Sequence, residues 1–326
     1  MLKYSVAFFS ALVLVGVALP NALADAKGKK VAHLTTAIQL PYISTLAKSL
    51  TEAGASYGMD VTVFSSPFDP AIQSQQMDDA VARRFDMIIL TAVSEQAIVP
   101  ALTRANQAGI PVIALIDPPK PGTEKLYTSF VGDDQPELGR IAARSMLKAI
   151  KASGRDGGRI AAITGALQEG VAPLRLNAFR EVIKQDPKVE LVAVEDVAWD
   201  TAKSEQAAGQ LLARFAPQGG LAGIWGMADN QAVAIIQAVK AAGLTPGAGA
   251  KDDIVVSSNC YKDGVAAIKA GTLFSTASQV PTTAGKRAAE AANEHFNGKT
   301  LPPRIIIPVD LINKDNIDKW AEACSF

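Results

Sequence analysis

Hydrophobic positions along the chain fall into two alternating kinds of segment. Segments of the first kind are short, continuously apolar and rich in valine and isoleucine, and they occupy residues 31–34, 61–64, 87–90, 112–116, 160–163, 191–194, 223–225 and 254–256. Strands that are apolar on both faces are typical of a parallel sheet with helices on either side. We therefore predict a strand in each of these runs.

Longer segments of the second kind lie between the runs and carry apolar residues every three or four positions, which is the spacing of a helix with one buried face. Ile43, Leu46 and Leu50 form one such series, and Ile235 and Val239 belong to another. Regular alternation of strands with helices predicts βαβ units and a doubly wound sheet. The fold class predicted from the pattern is α/β.

The predicted strands outnumber those that one such sheet usually holds. We place a break near residues 132–136, where two aspartates and Pro136 open a new helix, and a second series of strands and helices runs over residues 159–256. We therefore predict two similar, doubly wound lobes built on parallel sheets. The spacing alone leaves open how often the chain crosses between them.

The N-terminal segment has the layout of a secretory signal peptide. Lys3 precedes an apolar stretch over residues 6–19, and Ala22 and Ala24 are the small residues before a cleavage site that follows Ala24. The stretch is about 14 residues long, which is short of the ~20 that span a bilayer. We expect residues 1–24 to be removed and the rest of the chain to be exported, with a retained membrane anchor as the alternative.

Composition and motifs argue against several classes of protein. The 32 basic residues balance 32 acidic ones, whereas a nucleic-acid-binding protein usually has a basic excess. Two histidines and two cysteines leave little material for a zinc site, although carboxylates could still bind calcium. We expect no metal and no cofactor. The chain contains no dinucleotide-binding glycine motif, no P-loop and no G-x-S-x-G nucleophile elbow. We therefore expect a protein that is not an enzyme and binds no nucleic acid.

Cys260 and Cys324 are the two cysteines of the chain. Export would place them in an oxidising compartment, where disulfides persist and a free thiol is unusual. We expect a disulfide between them that ties the C terminus to a segment about sixty positions upstream. Two separate thiols are the alternative.

Polar and aromatic residues follow the predicted strands at the carboxyl edge of each sheet, where open α/β sheets bind ligands. The candidates are Thr36, Tyr42, Asp117, Arg175, Trp199, Asp229, Asn259 and Gln279. Carboxylates and amides accept hydroxyl protons, an arginine donates a fork of hydrogen bonds, and flat rings cover the C–H faces of a sugar. This set predicts a small hydroxyl-rich ligand. Each residue also has a structural alternative: the aspartates as helix caps, the arginine as a solvated charge, the asparagine as a turn residue and the rings as core.

Several short motifs occur in a characteristic order. They are ANQAGIPVI at 105–113, GDD at 132–134, LGR at 138–140, KDG at 262–264 and QVP at 279–281, and they follow a first-strand turn that contains Thr35-Thr36 and Pro41-Tyr42. With these motifs, the chain from about residue 29 to residue 320 resembles the type 1 periplasmic sugar-binding proteins of the ribose/galactose class. These are the solute receptors of ABC importers.

The resemblance implies two lobes joined by three crossings, near Gly132, Gln279 and Pro308, with the ligand between the lobes. One lobe would comprise residues 25–132 plus 280–307, and the other would comprise residues 133–279 plus 308–326. Closure of the lobes around a sugar or polyol would let the receptor dock on an ABC permease in the periplasm. A monomer is the default for this class.

Ligand positions of the family carry over onto Thr36, Tyr42, Arg175, Trp199, Asp229, Asn259 and Gln279. The chain departs from the family at Leu40, where asparagine is common, at Ile116-Asp117 in place of Asp-Arg, at Ala228 in place of asparagine, and at Asn259 in place of aspartate. These departures change several contacts to a plain ribose or galactose, so a modified sugar or a polyol fits as well. A periplasmic ligand sensor for chemotaxis or for a sensor kinase is the alternative function.

Overall fold

A computed structural model describes residues 1, 25–247, 249 and 252–326 of the chain. The expected signal peptide, residues 1–24, therefore lies outside the described residues apart from Met1. Within those ranges, no helix combines the length and the apolar character that a membrane crossing requires.

Strands and helices alternate along most of the chain. The strands are β1 (Lys30–Thr35), β2 (Asp60–Ser65), β3 (Met87–Leu90), β4 (Val112–Leu115), β5 (Ser129–Asp133), β6 (Gly158–Thr164), β7 (Val189–Asp196), β8 (Gly223–Gly226), β9 (Ile254–Val256), β10 (Ser275–Ala277), β11 (Arg304–Ile307) and β12 (Leu311–Asn313). The helices are α1 (Pro41–Ser56), α2 (Pro70–Ala82), α3 (Val99–Gln107), α4 (Gln135–Ala152), α5 (Val171–Ile183), α6 (Thr201–Phe215), α7 (Asp229–Ala241), α8 (Lys262–Lys269), α9 (Pro281–Phe296) and α10 (Ile317–Trp320). Each apolar run identified in the sequence falls on a strand.

The strands form two sheets, and each sheet is the centre of one lobe. The first sheet has the order β11-β5-β4-β3-β1-β2, and the second has the order β12-β10-β9-β8-β6-β7. Neighbouring strands are parallel except β12, which runs antiparallel to β10. The predicted fold of two doubly wound α/β lobes is confirmed, and the antiparallel edge strand is an addition to it.

The chain passes between the two sheets three times. It does so between β5 and β6, between β10 and β11, and between β11 and β12. The three crossings implied by the resemblance are therefore present. The residue limits of the lobes stay a prediction, because a sheet assigns strands to a lobe but does not fix the residue at which the lobe ends.

Burial on both faces explains why the strands are continuously apolar. In β3, Met87 and Ile89 pack with helices α1 and α9 on one side of the sheet, while Ile88 and Leu90 pack with α2 and α3 on the other. All four side chains are fully buried. Edge strand β11 is only partly buried and begins with an exposed arginine, so the apolar pattern that marks a central strand is weaker there.

Candidate ligand-binding site

A narrow, largely buried cavity of about 60 Å³ lies between the two lobes. Its wall consists of residues that follow carboxyl ends of strands: Thr36 after β1, Asp117 after β4, Glu169 and Arg175 after β6, Trp199 after β7, Asn230 after β8, Asn259 and Tyr261 after β9, and Gln279 after β10. The cavity therefore occupies the crevice in which α/β sheets bind ligands.

Seven of the eight sequence-predicted site residues line this cavity. They are Thr36, Tyr42, Asp117, Arg175, Trp199, Asn259 and Gln279. The first three come from the lobe of β1, the next three come from the lobe of β6, and Gln279 lies at the crossing from β10 to α9. Their shared position makes them candidates for one site, and their contact with a ligand stays a prediction.

Arg175, on α5, organises the cavity wall. Its side chain is 2% exposed, and it donates from Nε to Gln135 Oε1 at 2.6 Å, from Nη1 to Met227 O at 3.2 Å and from Nη2 to Gln279 Oε1 at 2.9 Å. The guanidinium also lies 5.6 Å from the centroid of the Trp199 ring, within the range of a cation–π contact. Burial lowers the pKa of Arg175 and nearby acidic groups raise it. An arginine remains charged under these conditions, so the wall holds a fixed positive charge.

Hydrogen bonds continue from Arg175 to the end of β5. Gln279 donates from Nε2 to Asp133 Oδ2 at 3.2 Å, and the Tyr42 hydroxyl donates to the same oxygen at 3.3 Å. The other oxygen, Oδ1, is buried with no partner among the described residues. Burial raises the pKa of Asp133 to about 6, although the bond from Gln279 and the charge of Arg175 act to lower it. The sequence marked Asp133 only as part of a crossing, because β5 was not among the predicted strands.

Asp117 reaches the cavity through a tight turn after β4. Ile116 has a φ of 52°, which is unusual for a β-branched residue, and the Asp117 N–H donates back to the Leu115 carbonyl at 2.6 Å. The turn brings Asp117 against the other lobe, where the Val171 N–H donates to its Oδ1 at 3.3 Å. Burial raises the pKa of Asp117 to about 7, and Arg175 opposes that shift. Backbone strain of this kind concentrates at functional sites.

Glu169 lines the cavity but was not among the sequence candidates. It lies in the loop between β6 and α5, is 3% exposed, and accepts a hydrogen bond from Trp199 Nε1 at 2.5 Å. Burial, and after it the charge of nearby Asp117, raises the pKa of Glu169 well above its usual value. The signal that was available is its place just after a predicted strand, but nothing in the loop sequence GALQEG distinguishes a buried glutamate from a solvated one.

Asp229 is the one candidate that the structure keeps out of the cavity wall. Its carboxylate accepts from Ser257 Oγ at 2.5 Å, from Thr276 Oγ1 at 2.6 Å and from the Tyr261 N–H at 2.8 Å. Its own N–H donates to Asn259 Oδ1 at 2.8 Å, which turns that amide toward the cavity. Burial raises the pKa of Asp229 to about 6, and these bonds act against the shift. With both carboxylate oxygens engaged, we expect Asp229 to position Asn259 rather than to contact a ligand.

The C-terminal residues pack on the aromatic side of the cavity. Cys260 and Cys324 are joined by a disulfide, which holds the tail beside the start of α8. The Phe326 ring meets the Tyr261 ring at a centroid distance of 5.1 Å and the Tyr42 ring at 6.5 Å, both edge-on. The tail therefore contacts cavity-lining tyrosines from both lobes.

A methyl group at Gly165 should displace the Trp199 indole. A Cβ there would lie 1.9 Å from Trp199 Cε2, so the ring would have to leave its position beside Glu169. Overpacking of this kind costs about 1–3 kcal/mol, and we expect Gly165→Ala to lower the free energy of unfolding in urea by about that amount. The matched control is Gly209→Ala in α6, where an added Cβ meets no atom within 4 Å and helix propensity predicts a small gain. Equal unfolding midpoints for wild type and Gly165→Ala would contradict this packing.

Known proteins show which family has this architecture. The chain matches the family described as "Periplasmic binding protein domain" over residues 31–300, a range that includes both sheets up to β10 and the whole cavity wall. The chain belongs to that family. The predicted resemblance to type 1 periplasmic binding proteins of the sugar-binding class is thus confirmed.

Individual periplasmic binding proteins are similar to this chain over most of their length. The ribose import binding protein of Bacillus subtilis (strain 168) is 24% identical over 271 residues, which are 83% of either chain. A crystal structure described as the periplasmic ribose ABC transporter from Conexibacter woesei DSM 14684 is 28% identical, covers 93% of this chain and 99% of that chain, and superposes with a TM-score of 0.75. The fructose-binding periplasmic domain of a hybrid two-component system is 20% identical, covers 90% of this chain and 93% of that chain, and has a TM-score of 0.80. At that identity the last comparison shows a shared fold only.

Proposed function

We propose that this periplasmic binding protein is the solute receptor of an ABC importer. It closes its two lobes around a small hydroxylated solute, a sugar or a polyol, and delivers the solute to a membrane permease. The observation that carries the proposal is the composition of the cavity wall. The two lobes together supply amide, hydroxyl, carboxylate and guanidinium groups next to aromatic rings. Such a set matches the hydrogen bonds and the C–H faces of a hydroxyl-rich ligand.

Contacts across the cleft support a closing motion. The Val171 N–H of one lobe bonds Asp117 of the other, and a Cβ on Gly170 would lie 2.7 Å from the Pro118 carbonyl oxygen. A solute that bonds to both lobes adds contacts across the cleft, so it would shift the balance between open and closed forms.

The proposed function involves no catalytic turnover. The cavity wall contains no histidine or cysteine, and the ribose import protein of Bacillus subtilis is itself named as a binding protein. We propose a monomer that works in the periplasm after removal of residues 1–24, with the permease as its protein partner.

A thermal-shift screen tests the proposal. The protein is unfolded and refolded to strip carried-over solute, and is then mixed with pentoses, hexoses, polyols, sugar acids and amino acids. A solute at about 100 times its dissociation constant adds about 2.7 kcal/mol of stability, so we expect one sugar or polyol to raise the melting temperature clearly.

Two variants make the screen specific to the cavity. Trp199→Ala removes a lining ring and should abolish the shift, whereas Tyr57→Ala, which removes an exposed ring at the end of α1, should keep it. A shift produced by amino acids alone would overturn the assignment to sugars and polyols.

A ligand sensor for chemotaxis or for a sensor kinase is the second candidate function. The periplasmic domain of a hybrid two-component system has the same fold, with a TM-score of 0.80. A closed receptor can serve either transport or signalling. A transport receptor requires permease and ATPase genes beside its own, and deleting it abolishes uptake of the labelled solute. If deletion leaves uptake intact but removes the response to the solute, the sensor function is correct.

A further inference from the structure

Two buried carboxylates meet in the cavity from opposite lobes. Asp117 follows β4 and Glu169 follows β6, both line the cavity, and each is 3% exposed. Val171, two residues beyond Glu169, bonds Asp117 directly. The two acidic groups are therefore close enough for the charge of Asp117 to raise the pKa of Glu169.

Each carboxylate has one engaged oxygen and one free oxygen. Asp117 Oδ1 accepts from the Val171 N–H, and Glu169 Oε2 accepts from Trp199 Nε1. Across residues 25–247, 249 and 252–326, no donor bonds Asp117 Oδ2 or Glu169 Oε1, and neither residue forms a salt bridge. Neither oxygen is a fully enclosed unpaired atom, so each keeps some accessible surface, and both residues line the cavity.

The cavity wall supplies one positive charge, Arg175, which this pair shares with Asp133 and which lowers the pKa of all three carboxyl groups. The hydrogen bonds of Arg175 go to the uncharged oxygens of Gln135, Met227 and Gln279. Its field is shared with Asp133, which also faces Tyr42. The remaining titratable neighbours are Asp196, which acts on Glu169, and Tyr261, which acts on Arg175. Buried charges in proteins are normally paired. Because the buried carboxylates outnumber the cations around them, a positively charged group on the solute would balance them.

We propose that the solute of this receptor carries a protonated amine beside its hydroxyl groups, as an amino sugar or an amino polyol does, and that its ammonium group binds between Asp117 and Glu169. This inference rests on the proposed function and specifies its solute class. An ammonium brings three N–H donors and a positive charge to two free carboxylate oxygens. A hydroxyl brings one donor and no charge.

Proton release follows from the same geometry. Two adjacent desolvated carboxylates titrate as a coupled pair and hold a proton that neither would hold alone. Burial raises the pKa of Asp117 to about 7 and that of Glu169 well above its usual value. A bound ammonium favours the ionised pair, so binding should expel up to about one proton near pH 7. Because ionisation of the pair is complete only at higher pH, the preference for the amine should grow as pH rises through about 7.

Isothermal titration calorimetry with matched solute pairs tests the inference. The probes are D-glucose against D-glucosamine, D-sorbitol against 1-amino-1-deoxy-D-sorbitol, and myo-inositol against an amino-deoxy-inositol, each titrated into the full refolded protein at pH 7.5. We expect the amine of at least one pair to bind about tenfold or more tightly than its hydroxyl counterpart, the order of preference that a charge-assisted contact provides. Titrations of D-sorbitol and 1-amino-1-deoxy-D-sorbitol in buffers of different ionisation enthalpy should show proton release for the amine, which is fully protonated at this pH, and none for its hydroxyl counterpart.

Isosteric variants assign the effect to the carboxylate pair. Glu169→Gln and Asp117→Asn each remove one negative charge at nearly constant shape, and each should reduce the ratio of amine affinity to hydroxyl affinity about tenfold. Glu205→Gln, at an exposed position of α6, is the matched control and should keep the preference. Tight binding of the hydroxyl member, with no gain for its amine, would overturn the amine inference and leave the receptor function standing. If no member of any pair binds, the amine inference fails, and the thermal-shift panel of pentoses, hexoses and polyols decides the receptor function separately.

Discussion

Replacing Arg175 by alanine is expected to abolish solute binding and to lower the free energy of unfolding by about 3–5 kcal/mol, the cost of leaving buried charges without their partner. The substitution removes hydrogen bonds to Gln135, Met227 and Gln279 at once. It also removes the cation that lowers the pKa of both Asp117 and Asp133. Urea denaturation measures the loss of stability, and calorimetric titration of the solute identified in the screen measures the loss of binding.

The loss of stability in Arg175→Ala should depend on pH with a definite sign. The folded-state pKa values are already raised, to about 7 for Asp117 and about 6 for Asp133, and losing Arg175 raises them further. A carboxyl group with a raised folded pKa binds more protons in the folded state than in the unfolded one, so its contribution to stability falls as pH increases. The deficit relative to wild type should therefore be smallest near pH 5 and largest above about pH 7.

Arg180→Ala is the matched control for this effect, because Arg180 lies on the same helix, forms no ion pair with any residue that the structure describes, and is only partly buried. Its effect should stay within about 0.5 kcal/mol, as for an ordinary surface substitution. Equal losses in the two variants would show that Arg175 has no special part in the cavity wall.

Replacing both Cys260 and Cys324 by alanine should lower the free energy of unfolding by about 4 kcal/mol. The disulfide joins residues 64 positions apart, and a loop of that length restricts the unfolded chain by about this amount in the chain-entropy account. A reducing agent should lower the stability of the wild type to the same level and leave the double variant unchanged. A double variant as stable as the wild type would contradict the expected effect.

The tail adds a separate contribution that one more variant isolates. Phe326→Ala keeps the disulfide but removes the ring that packs against Tyr42 and Tyr261. If the disulfide affects solute binding by holding this ring in place, Phe326→Ala should weaken binding about as much as the double cysteine variant does, with a smaller loss of stability. Weakened binding in the cysteine variant alone would separate the disulfide from the ring.

The sequence by itself determined the α/β class and most of the strands and helices, because the signals involved are local. A strand covered on both faces, such as β3, is apolar at every position, and a helix with one buried face repeats every three or four residues. The sequence also indicates where those strands end. Parallel strands bring their carboxyl ends to one edge of a sheet, and this rule alone selected seven of the residues that line the cavity.

The tertiary structure decided which of those polar residues face the cavity and which lie behind it. Asp229 follows its strand as directly as Asp117 does, but Ser257, Thr276 and the Tyr261 backbone occupy its oxygens, and these partners lie 28–47 positions away in the chain. No local pattern shows such partners.

Glu169 shows the opposite case. It lies in a short loop and carries no local mark, yet the approach of Val171 to Asp117 buries it beside a second carboxylate. Packing between lobes determines burial, and burial determines which charges are left unpaired. The sequence could therefore predict the class of the site, whereas the acidic excess that specifies the proposed solute arises only when the two lobes meet.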